Sequence, residues 1–140
     1  MDHKNALLRS WMFVPGDRQK MIDKSYGLSV DAILMDIEDG VAPASKDTAR
    51  KQIAASLDQV AARKKEDPSF RTPARFVRIN AVGHERMHAD LEQVIRPGLE
   101  GLAVPKTETV EEVKIVEQSE RTSPKGLNIS NPECNSGKGN

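Results

Sequence analysis

Three carboxylates, Asp36, Glu38 and Asp39, stand together where an apolar run stops. The run itself, Ala32 to Met35, is continuous rather than alternating, which suits a strand buried on both faces of a parallel sheet covered by helices. Acids bunched where such a strand runs out are placed as an α/β active site would place them. After them Gly40 and Pro43 break the strand, and Ser45 can cap a helix that begins near Lys46 and carries Asp47 in its first turn. An acidic, solvated turn feeding that helix is the plainer account of the same residues, and the pattern leaves both open.

Two other constellations could do chemistry. His84 to His88 reads HERMH, a formal match to H-E-x-x-H, in which two histidines one helical turn apart bind zinc and the glutamate acts as general base. Glu108 could serve as a third ligand. The stretch follows Gly83 in a post-strand loop, however, and lacks the apolar flanks of a buried metalloprotease helix, so solvated histidines at a helix start account for it better. Lys106 ends another apolar run, where a desolvated lysine could form a Schiff base with a carbonyl substrate. Glu108 close by would keep it charged.

These residues need elements to hold them, and the chain supplies four strand-helix units in succession. Trp11 to Val14 reads as a first strand ended by Pro15 and Gly16. Asp17 can then cap a helix over about Arg18 to Leu28, with Met21, Ile22, Tyr26 and Leu28 on its apolar side. The strand Ala32 to Asp36 follows, then a helix in which Ala49, Ile53, Leu57 and Val60 recur at spacings of three and four. Arg63 to Pro73 is charged and broken by proline, the mark of a surface loop. A third strand, Arg75 to Ile79, delivers Asn80. A helix from Met87 to Ile95, a fourth strand from Gly101 to Val104 and a helix from Val110 to Ser119, marked by Val110, Val113, Ile115 and Val116, complete the series. This order predicts an α/β fold with a parallel sheet and right-handed crossovers. Residues 121–140 lose periodicity and read as a disordered tail.

Composition narrows the function classes. The chain has 140 residues, the length of one ordinary domain, and 37% hydrophobic content is enough for a core. Its 21 basic and 21 acidic residues cancel, and no basic stripe interleaved with aromatics points to nucleic acid. No apolar stretch approaches the roughly 18 residues of a membrane span, and Met1 to Ser10 lacks the apolar segment of a secretory signal. A cytoplasmic or organelle-matrix protein is expected. The lone cysteine, Cys134, excludes a disulfide framework or a cysteine-rich metal site within the chain.

Four segments, Ser10 to Arg18 (SWMFVPGDR), Asp31 to Arg50, Val77 to Ala81 (VRINA) and Arg96 to Thr109 (RPGLEGLAVPKTET), together resemble the N-terminal half of the HpcH/HpaI aldolase and citrate lyase family, nearest to citrate lyase beta subunit-like proteins. The resemblance runs over residues 8–120. It implies the first half of a TIM (β/α)8 barrel and a magnesium-dependent carbon-carbon lyase acting on 3-hydroxy acyl thioesters such as citryl-CoA or malyl-CoA. The substrate would be carried on CoA or a carrier protein. By the same resemblance Arg78 binds the substrate's carboxylate or carbonyl oxygen; a salt bridge to Asp36, Glu38 or Asp39 is the plainer account of it, and the two roles are compatible. Glu38 and Asp39 lie beside the metal and orient Arg78 or a metal-bound water, and Pro15, Gly16 and Asp17 form a turn near the acyl-CoA. Lys106 becomes a structural or CoA-phosphate-contacting residue.

The family's magnesium ligands, a glutamate after the fifth strand and an aspartate after the sixth, have no counterpart here, and the tail's one acid, Glu133, has no strand before it. The sequence therefore reads as a shortened form lacking its metal ligands. An open half-barrel would expose its edges and inner face. That predicts self-association, or docking onto a longer paralogue, and keeps a non-catalytic interaction subunit as the alternative.

Overall fold

The computed structural model describes residues 6–122; the expected disordered tail beyond Thr122, with Glu133 and Cys134, lies outside the described residues. Four strands alternate with four helices: β1 (Trp11–Pro15), α1 (Gln19–Ser25), β2 (Ala32–Asp36), α2 (Lys46–Glu66), β3 (Ala74–Arg78), α3 (Met87–Val94), β4 (Gly101–Ala103) and α4 (Val110–Arg121). The strands form one parallel sheet in the order β1-β2-β3-β4. This is the architecture of half a TIM barrel, as the sequence led one to expect.

The two faces of the sheet differ. Val14, Ile33, Met35 and Val77 share one face and join Ile22, Ile53, Leu57, Leu91 and Val94 from the helices in the hydrophobic core. The opposite face carries Trp11, Phe13, Leu34 and Phe76 in register. None of these four belongs to that core, and Trp11 and Phe13 are 45% and 55% exposed. The uncovered face is the one that points inward in a closed barrel. β2, flanked on both edges, is buried throughout, which is why its sequence is continuously apolar.

Several local expectations change. α1 is shorter than the apolar pattern suggested. Arg18 rather than Asp17 stands at its cap and makes no capping bond, Met21 faces solvent, and backbone turns at Gly27 and Leu28 replace the last helical turn. Ser45 also makes no side-chain cap, because a one-turn 3-10 helix (Pro43–Ser45) runs directly into α2. The charged run from Arg63 is not loop. Arg63, Lys64 and Lys65 form the last turn of α2, where cations favour the negative end of the helix dipole, and only residues 67–73 connect to β3.

α4 extends to Arg121, into the stretch expected to be tail, and starts at a capping box between Thr109 and Glu112. Val110, Val113 and Ile115 are exposed, and only Val116 enters the core. Its apolar pattern marked a helix, but most of that pattern is not buried.

One buried arginine closes the other end of the sheet. Arg75 donates to the carbonyls of Gly98 (2.6 Å) and Pro73 (2.9 Å) and lies 3.2 Å from Glu100. Gly98, which supplies one of these carbonyls, has φ +97° and packs so closely on α2 that an added Cβ would meet the Leu57 carbonyl oxygen. Neither backbone can yield easily, so Gly98→Ala is expected to cost about 2 kcal/mol, read as a lower urea midpoint with an unchanged slope.

Candidate functional site

Parallel register decides which side chains meet at the C-terminal ends of the strands. Asp36 pairs with Pro15 on one side and with Arg78 on the other, so the last residues of β1, β2 and β3 stand in one row on the uncovered face. Arg78 donates through Nε to Asp36 Oδ1 and through Nη2 to Asp36 Oδ2, each at 2.8 Å. This two-pronged geometry fixes the plane of the guanidinium. The backbone N–H groups of Glu38 (2.9 Å) and Gly40 (2.7 Å) occupy the remaining acceptor positions of Asp36. Burial pushes the Asp36 carboxyl up, but the bond from Arg78 and the two N–H donors outweigh it, and its pKa lies below the usual carboxylate value. The bond to Asp36 raises that of Arg78 further. Both hydrogen bonds of Arg78 run through Nε and Nη2, so Nη1 is the edge left to meet a ligand oxygen. The guanidinium also lies 5.1 Å from the centre of the Phe13 ring.

Glu38 follows on the same face with its side chain only 6% exposed. One oxygen lies 2.8 Å from Lys106 Nζ. The other accepts the Asp39 N–H at 2.7 Å and is 3.6 Å from Arg78 Nη2. Asp39 is exposed and also approaches Lys106, at 3.3 Å. Lys106 thus reaches from the loop after β4 to the loop after β2, and it is the one non-glycine residue with positive φ among the described residues, at 52°. Its hydrogen bonds to Glu38 and Asp39 raise its pKa. That removes the neutral amine a Schiff base requires, and the charge is held by Glu38 and Asp39 rather than by Glu108, whose N–H instead donates to Glu112.

The first turn packs beneath this row. Gly16 donates to the Asp36 carbonyl at 2.9 Å, and a Cβ there would lie 2.6 Å from that oxygen and 2.7 Å from Ile53 Cδ1. The absence of a side chain lets β1 and α2 close under Asp36. Asp17 Oδ1 is buried, accepts no hydrogen bond and lies 3.7 Å from Arg18 Nε. The zinc reading is not supported: Glu85 and Arg86 separate His84 from α3, and His88 alone of the two is helical. His84 Nδ1 accepts the Arg86 N–H at 3.1 Å.

No group of three or more His, Cys, Asp or Glu among the described residues is placed to hold a metal. Asp36 is saturated by donors and Glu38 is paired with Lys106, so these carboxylates do not make a magnesium shell by themselves. Three acids nevertheless face two cations, Arg78 and Lys106, leaving one negative charge in excess.

Sequence reading missed a buried polar chain behind the row. Lys46, Asn80, Asp90 and Arg50 are each less than a tenth exposed. Lys46 Nζ donates to the carbonyls of Ile37 and Glu38 and to Asn80 Oδ1, Asn80 donates to Asp90, and Arg50 donates to Asp90. The signal was present: a lysine at the first position of a helix sits at the positive end of the dipole, where a cation is disfavoured.

Known proteins share this sequence pattern and fold. The HpcH/HpaI aldolase/citrate lyase family model matches residues 9–135. The chain is 36% identical over 115 residues to citrate lyase subunit beta from Escherichia coli, covering 82% of this chain and 35% of that protein. It is 34% identical over 133 residues to the mitochondrial citramalyl-CoA lyase of Rattus norvegicus, covering 94% and 37%. The crystal structure of CitE from Mycobacterium tuberculosis in complex with magnesium, acetoacetate and coenzyme A superposes with a TM-score of 0.60 at 27% identity, covering 79% of this chain and 38% of that one. The chain therefore spans about a third of the length of the curated relatives it matches. No described helix is long and apolar enough to cross a membrane.

Proposed function

Because the chain belongs to the HpcH/HpaI aldolase/citrate lyase family, we propose that it provides the substrate-binding side of a carbon-carbon lyase site acting on a 3-hydroxy acyl thioester of the citryl-CoA or malyl-CoA class. The observation that carries this reading is the Arg78–Asp36 clamp, which presents a fixed guanidinium edge at the barrel mouth. Cleavage of such a substrate moves the electron pair of a carbon-carbon bond towards a carbonyl, creating an enolate. A cation already held in place stabilises that charge without reorganising. Pro15, which ends β1 beside Asp36, and Gly16 and Asp17 in the turn after it are assigned to the acyl-CoA side, and Glu38 and Asp39 to orienting the cations around the substrate.

Magnesium, which the solved CitE complex contains, is assigned as the cofactor of the complete site. Asp36, Glu38 and Asp39 do not supply its ligand set, since they are committed to Arg78, Lys106 and N–H donors. A second reading, a non-catalytic subunit that docks through the uncovered face, is favoured by the exposure of Trp11 and Phe13. Such docking would be to a second copy or to a longer paralogue, in the cytoplasm or an organelle matrix.

The deciding experiment is cleavage of citryl-CoA, malyl-CoA and citramalyl-CoA by the purified chain with and without magnesium, alongside its mass in solution. Magnesium-dependent release of the free acyl-CoA product supports the lyase reading. A folded, associated chain with no turnover supports the second.

A further inference from the structure

We propose that Lys46 is a positioning residue: its buried ammonium ties the loop after β2 to the loop after β3 and thereby holds Glu38 between Arg78 and Lys106. The consequence for substrate rests on the lyase reading above; the positioning itself does not.

An ammonium has three donors, and Lys46 spends all three. They go to Ile37 O (2.7 Å), Glu38 O (2.7 Å) and Asn80 Oδ1 (2.9 Å). Two of these acceptors belong to the loop that carries the acids, one being the main chain of Glu38 itself. The third lies two residues beyond Arg78. One side chain from α2 therefore grips both loops.

All three acceptors are uncharged, although Lys46 is only 7% exposed. A buried cation with neutral partners is costly unless something compensates its charge. Asn80 provides the connection: its amide turns Oδ1 to Lys46 and donates through Nδ2 to Asp90 Oδ2 at 2.6 Å, while its backbone N–H donates to the same oxygen at 2.8 Å. Asp90 is fully buried and is met by Arg50 at 2.9 Å. Lys46 also stands at the helix end that disfavours a cation. A residue chosen only to stabilise α2 would not be a buried lysine there. The arrangement makes sense as a rigid brace for the loop that positions the Glu38 carboxylate against two cations.

The reporters are the amides of Glu38, Asp39 and Gly40, which bond to the side chains of Asp36 and Glu38. In the full chain, Lys46→Met is expected to accelerate hydrogen exchange at these three amides at least tenfold while leaving the strand amides of Met35 and Val77 nearly unchanged. Affinity for acetoacetate, used as the carboxylate probe, should fall by a similar factor. Asn80→Ser, which removes one arm of the brace and leaves both carbonyl bonds, is expected to give the same local pattern at about threefold, and it decides the matter should Lys46→Met fail to fold. Uniform acceleration of strand and loop amides together, or unchanged exchange at residues 38–40, would overturn the proposal. Absence of acetoacetate binding by the wild-type chain would count against the lyase reading alone, since the exchange pattern decides the role of Lys46 independently.

Discussion

Under the proposed lyase reading, Arg78→Ala is expected to lower kcat/KM for carbon-carbon cleavage of the acyl-thioester substrate by at least about 10²-fold, the usual consequence of removing one fixed electrostatic donor from a developing oxyanion. The loss has two sources. The ligand edge at Nη1 disappears, and Asp36 keeps its N–H donors but loses the cation that balanced its charge. Lysine is a poor substitute, because a point charge cannot hold Asp36 through two parallel bonds and still present a planar edge to the substrate. Arg78→Lys should therefore recover only part of the rate. Steady-state kinetics of the three proteins check this. Equal rates in wild type and Arg78→Ala would remove Arg78 from the site.

Asp36→Ala should have the largest effect on stability. Asp36 is 3% exposed and accepts four hydrogen bonds. Its removal leaves the Arg78 guanidinium and two N–H groups without their acceptor. Breaking such a pair from one side costs about 3 kcal/mol, enough to lower the melting temperature by roughly 10 °C in a chain of this size. Because the folded pKa of Asp36 lies below its unfolded value of about 4, its contribution is fully present above the unfolded pKa and is lost as pH falls through the folded one. Urea midpoints measured from pH 7 downward should thus converge for wild type and Asp36→Ala in acid. A gap that stays constant with pH would mean that packing, and not the ion pair, carries the effect.

The elements that could be read from sequence were those whose signal is local. β2 is legible because burial on both faces forces a continuous apolar run, and its bounds agree with the strand observed. The packing stripe of α2, Ala49, Ile53, Leu57 and Val60, is legible because a helix repeats every 3.6 residues, and all four side chains are buried. The limits of α1 and the Arg63 run were misread where capping chemistry and charge pattern pulled against each other. Asp17 resembles a cap, yet the turn after Gly16 passes it by. The charges from Arg63 to Glu66 resemble a loop, yet they suit a helix end.

The candidate site was half legible for a related reason. Asp36, Glu38, Asp39, Arg78 and Lys106 could each be singled out at a strand end, and the four segments they belong to carried the family resemblance over its N-terminal half. Which acid meets which cation could not be read. The sequence offers Arg78 any of three acids, and parallel register selects Asp36, 42 residues away, for its two hydrogen bonds. Glu108, close in sequence, reads as the acid that keeps Lys106 charged, and the fold turns the lysine instead to Asp39, 67 residues earlier, and to Glu38.

The sequence by itself determined the order of strands and helices, the parallel sheet they build, and the strand ends at which chemistry would collect, because periodicity and strand-breaking residues act within a few positions; that the sheet is half a barrel followed from the family resemblance. Only the tertiary structure decided the pairings, the burial of Lys46 and Asp90, and the bare inner face of the sheet. Hydrogen bonds and desolvation depend on which distant residues the register brings within about 3 Å, and nothing local encodes that distance.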